Sequence, residues 1–151
     1  MVLAIYSRRN KNIQNIEAIE LARELLLGSD YYFVVVKNGA LLTGKRGNGI
    51  KPILQAIDEI GENIQGSTVG IRLLGKASAL LCAYAKAAGV YTPQATKKAI
   101  AVLIRANIPG RADQMIPYLD NKEDDDVFKF ENMVINIDSP EEAYNILKKH
   151  L

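Results

Sequence analysis

The sequence predicts an α/β chain: three layers, with a mixed, mostly parallel sheet of about five strands between helices on both faces. Segments with apolar residues at helical spacing alternate with short runs rich in β-branched and aromatic residues. Asn38-Gly39 falls between two such runs, a strong short hairpin signal. Beyond it the chain repeats strand, helix, strand, which calls for right-handed crossovers and helices over both faces of the sheet.

In chain order, Ile16, Ile19, Ala22 and Leu26 recur on one helical face, Leu21 and Leu25 widen it, and Gly28 is placed to end the helix. Tyr31 to Val36 and Ala40 to Thr43 are the hairpin strands. Pro52 stands where a first helical turn tolerates it, and Ile53, Leu54, Ile57 and Ile60 trace one face up to Gly61. Val69, Ile71 and Leu73 alternate as a third strand. A helix from Gly75 to Ala88, closed by Gly89, follows. Val90 to Thr92 predicts a short strand, Gln94 to Ala106 a helix, and Met115 to Leu119 a last strand. Ser139, Pro140 and Glu142 form a capping box that opens a final helix carrying Ala143, Ile146 and Leu147 inward. Residues 1–14 read as an N-terminal extension able to add a strand, and residues 15–151 as one domain.

At 151 residues the chain suits one core, and 48% hydrophobic with 24% charged residues is ordinary globular usage. No apolar stretch is long enough to cross a bilayer. A net charge of +2, with basic residues spread along the chain, argues against nucleic acid as a partner. Cys82 is the one cysteine, so no internal disulfide forms and a reducing, cytoplasmic setting is expected. The start is apolar and then basic, the reverse of a secretory signal. One cysteine and His150 as the one histidine leave no ligand set for a zinc-dependent hydrolase, and no cofactor is implied.

Two strand-to-helix junctions carry the chemistry. Open α/β sheets take ligands beyond the carboxyl ends of their strands, where helix N-termini present free N–H groups. At the first junction, Thr43 to Pro52, Gly47 and Gly49 allow close backbone approach, and Arg46 and Lys51 bring positive charge. The spacing departs from a phosphate-binding P-loop because Ile50 intervenes and no hydroxyl follows Lys51, so an ATPase is rejected. At the second, Leu73 to Ser78, Gly75 admits a ligand, Ser78 offers a hydroxyl, and Lys76 opposes the helix dipole unless an anion is near. A solvated basic turn is the bland alternative at both places. Cys82, within an alanine-rich helix and far from any histidine, reads as a small buried side chain. The acidic run 123–126 reads as solvated, whereas Glu131 lies between Phe130 and Met133, where a carboxylate is either paired or functional.

Gly-Ile-Lys-Pro-Ile-Leu at 49–54, Leu-Gly-Lys-Ala-Ser-Ala-Leu-Leu at 74–81, Phe-Glu-Asn-Met-Val at 130–134 and Asp-Ser-Pro-Glu-Glu-Ala-Tyr at 138–144 carry a family resemblance. From about Ile16 to the C-terminus the chain resembles a prokaryotic family of unknown function in the cytidine-deaminase-like superfamily. That implies a cytidine-deaminase-like fold for residues 15–151. Deaminases of this fold place a His/Cys-Ala-Glu at one helix start and Pro-Cys-x-x-Cys at the next, to hold zinc and move protons. The corresponding regions here, Gly49 to Lys51 and Leu74 to Ser78, contain no histidine, cysteine or glutamate, so zinc-dependent deamination is not expected. The family also tends to have Cys-Pro before its late glutamate, where this chain has Phe128 and Lys129, so no role for that cysteine carries over.

Three functions stay open at this level. One is a small anionic or nucleotide-like ligand held between the two helix starts by Arg46, Lys51 and Lys76, with Gly47, Gly49 and Gly75 admitting it. Another is a non-metal enzyme that uses Lys76 with Glu131. The third is a homo-oligomeric assembly module. Ala77, Leu80, Leu81 and Tyr84 of the Gly75 helix can serve the sheet, yet Ala79, Cys82, Ala83, Ala85 and Ala87 continue its apolar character round the cylinder. Either a partner subunit or the first or last helix of the same chain covers that second face.

Overall fold

The structure is a computed structural model and describes residues 3–5, 13–117 and 125–151. Its elements are β1 (Leu3–Ile5), α1 (Ile13–Leu27), β2 (Phe33–Lys37), β3 (Ala40–Lys45), α2 (Lys51–Ile60), β4 (Thr68–Ile71), α3 (Lys76–Tyr84), β5 (Gly89–Thr96), α4 (Lys97–Arg105), β6 (Gly110–Ile116), α5 (Asp125–Met133) and α6 (Pro140–Leu147). The strand order is β1-β6-β5-β4-β2-β3. β4, β5 and β6 are parallel neighbours, and β2 runs antiparallel to both β3 and β4. Leu3–Ile5 extends this five-strand arrangement at the β6 edge, antiparallel to Gly110–Ala112. The mixed α/β sheet with helices on both faces is therefore present. No helix among the described residues is long and apolar enough to cross a membrane.

Alternation along the strands divides the core in two. Val34 and Val36 of β2 and Tyr91 of β5 face α1, where Ile19, Ala22 and Leu26 meet them. Phe33 and Val35, Val69 and Ile71, and Val90 face the opposite layer of α2, α3 and α4. Gly70, on the α1 side, permits this approach: a Cβ there would lie 3.0 Å from Val34 Cγ2 and 3.2 Å from the Ala22 carbonyl oxygen. Around the edge of α1, Arg111 donates to Glu20 and Asp113, both at 3.1 Å, and the Tyr91 hydroxyl donates to Asp113. Burial and the Asp113 carboxylate push the Tyr91 phenol up to about 12.

Several boundaries differ from the sequence reading. Pro93 has no N–H for a ladder and marks a strand end at Thr92, yet β5 runs on to Thr96. It is held there by β6 and by Leu74, whose N–H donates to the Gln94 carbonyl at 2.9 Å and whose carbonyl accepts Thr96 N–H at 3.0 Å. The helix expected from Gln94 therefore begins at Lys97, with the Thr96 hydroxyl accepting Ala99 N–H as its N-cap. α3 stops at Tyr84, well before Gly89, because Lys86 takes the left-handed conformation at φ 57°. Lys86 N–H then reaches Ala83 O and Ala87 N–H reaches Cys82 O, the paired bonds of a Schellman ending without glycine. The last strand is Gly110–Ile116, set by its register on β5, in place of Met115 to Leu119. α5 is a helix the periodicity did not predict, and it seats Phe130 in the core.

The apolar second face of α3 is covered within the chain. α4 lies along one side and α6 along another, and Tyr84 stacks on Tyr144 with ring centroids 4.0 Å apart. Ala143 and Leu147 of α6 are fully buried in the same cluster, so the last helix takes the place considered for a partner subunit. Ser139 caps α6 by accepting Glu142 N–H at 3.2 Å.

Candidate ligand cleft

α2, α3 and α4 all begin at the carboxyl edge of the sheet, where β3, β4, β5 and β6 end. Gly75 is the N-cap of α3 in extended conformation. Its N–H donates to the Ser78 hydroxyl at 2.9 Å, and that hydroxyl donates back to the Gly75 carbonyl at 3.1 Å. The next two donors, Lys76 N–H and Ala77 N–H, go to the two oxygens of Glu131 at 3.0 and 2.8 Å. The anion that a lysine in this first turn calls for is thus a carboxylate of the same chain, carried by α5. Burial holds the Glu131 carboxyl above its usual range, partly opposed by these two hydrogen bonds and by the charges of Lys98 and Lys76.

The Lys76 side chain is buried and engaged elsewhere. Its ammonium donates to the Ile135 carbonyl at 3.2 Å and lies 3.4 Å from Asp138, which also pairs with Arg105 at 3.4 Å. The lysine therefore ties the start of α3 to the α5–α6 connection.

The residues nominated by the sequence do not form one site. Gly49, Gly75, Ser78 and Glu131 border a narrow gap with Tyr32, Ile50 and Phe130, but its volume of about 10 Å³ is that of about one water. As the side chains stand, an anion or nucleotide does not fit between the starts of α2 and α3. Arg46 is turned to Asp30 at 2.7 Å and lies 5.3 Å from the Tyr31 ring centroid; that pair is exposed, and the guanidinium holds the Asp30 carboxyl below the usual carboxylate range. Lys51 is exposed on the first turn of α2. Gly47 and Gly49, at φ 112° and 70°, serve the turn from β3 into α2, a conformation that favours glycine.

Ligand-sized space lies one junction further along the edge. A cleft of about 170 Å³ is bounded by Lys76, Thr96, Lys98, Phe128, Glu131 and Ile135, with Pro117 and Asn132 completing it. It sits beyond the carboxyl ends of β4, β5 and β6, the usual ligand edge of such a sheet. Lys98, on the first turn of α4, is exposed and makes no ion pair within 4.0 Å among the described residues, though its charge acts on the Glu131 carboxyl. Thr96 and Lys98 escaped the sequence reading because the helix start was placed at Gln94; a hydroxyl N-cap followed by two lysines was the available signal. Among the described residues no group of three His, Cys, Asp or Glu side chains is placed to hold a metal ion, and the acidic run 123–126 has side chains outside them.

Comparison with known proteins sets this architecture in a family. No curated protein matches the chain. A crystal structure of a DUF1893 family protein from Thermotoga maritima superposes with a TM-score of 0.79 at 21% identity, covering 89% of this chain and 90% of that one. A structure of RibD from Acinetobacter baumannii gives a TM-score of 0.45 at 21% identity, over 66% of this chain and 34% of that one. The family model described as a domain of unknown function (DUF1893) matches residues 21–151, and the chain belongs to that family.

Proposed function

We propose that this chain binds a small anionic ligand in the cleft between the starts of α3 and α4, on a deaminase-like scaffold without the zinc site. The observation that carries the reading is the exposed Lys98, which makes no ion pair among the described residues, on a cleft shared with Lys76 and Glu131 at the carboxyl edge of the sheet. Half-exposed Phe128 and Ile135 add apolar wall, so the ligand has a carbon frame as well as a charge. The volume of about 170 Å³ is below the roughly 300 Å³ at which drug-sized pockets begin, which favours a small carboxylate or phosphate ester over a whole nucleotide. The deaminase-like reading is supported by α2 and α3, which start side by side with Gly49 and Gly75 on one gap, as two metal-bearing helices would.

An enzyme using Lys76 as nucleophile is less well supported, because its ammonium is committed to Ile135 and Asp138. The test is a titration of isotope-labelled protein with inorganic phosphate, followed by amide NMR. Shifts concentrated at Thr96–Ala99, abolished by Lys98→Ala and kept in an Arg46→Ala, Lys51→Ala double variant, are expected. Shifts centred on Gly47–Lys51, or none at all, would overturn the proposal.

A further inference from the structure

We draw no further inference here: the strongest candidate, the groove of about 450 Å³ between the C-terminal ends of α2 and α3 and Tyr144 of α6, has Lys86 on its lining beside Asp58 and Glu62 and Lys148 over the Tyr144 ring, so its charges select no one class of occupant and nothing in the structure shows what covers it.

Discussion

Glu131 and Lys76 meet through the backbone: the carboxylate accepts the lysine N–H at 3.0 Å, while the lysine ammonium turns away to the Ile135 carbonyl at 3.2 Å. Two residues that look like an acid–base pair in the sequence are instead two clasps joining α5 and its following turn to the start of α3. The same arrangement leaves Glu131 on the lining of the cleft.

Glu131→Ala should lower stability by about 1–3 kcal/mol, because two helix N–H groups lose their acceptor where water has restricted access. Denaturant unfolding at neutral pH measures it.

The pH dependence has a definite sign. Burial raises the Glu131 carboxyl above its ordinary 4.5. Its contribution is therefore full below 4.5 and declines as pH rises through the raised value. The unmodified protein should exceed Glu131→Gln in stability by more at pH 4 than at pH 7. A margin that widens toward neutrality would contradict the assignment.

Cys82 should be inert in the folded protein, since burial pushes its thiol up to about 12 and removes access. A thiol reagent followed by intact mass should modify it only under denaturing conditions. Rapid reaction in native buffer would place the cysteine at a surface.

Gly110→Ala should destabilise by about 1–3 kcal/mol. A Cβ there would lie 2.9 Å from the Val90 carbonyl oxygen, a backbone atom of the neighbouring strand that cannot rotate aside. The melting temperature reports the effect.

Leu147→Ala removes a fully buried side chain of α6 and should cost about 2–5 kcal/mol. Removing residues 140–151 should do more, exposing the apolar side of α3 and making the protein self-associate in light scattering. A truncated chain that stays monomeric and folded would show that α3 does not need α6.

Local signals decided much of the framework. Asn38-Gly39 closes the hairpin because its left-handed turn, at φ 54° and 76°, belongs to those residue types. Pro52 falls in the first turn of α2, which has no side-chain cap, and Ser139 caps α6 ahead of Pro140, both where predicted, since such signals act within one turn of chain. The apolar periodicities of α1 and α2 likewise placed Ile19, Ala22 and Leu26 against one sheet face and Ile53, Leu54 and Ile57 against the other, while Ile16 of the same predicted stripe is exposed. Tertiary structure decided what depended on distant partners. β5 passes through Pro93 because β6 and Leu74 hold it, and α3 stops at Tyr84, with Lys86 left-handed where the chain turns back toward β5. Glu131 was legible as a carboxylate needing a partner, but the partner is a pair of backbone groups 54 and 55 residues away, which no spacing rule reaches. The cleft itself is assembled from four separate stretches of chain at one sheet edge, so its volume and the charges that meet there exist only once the sheet has formed.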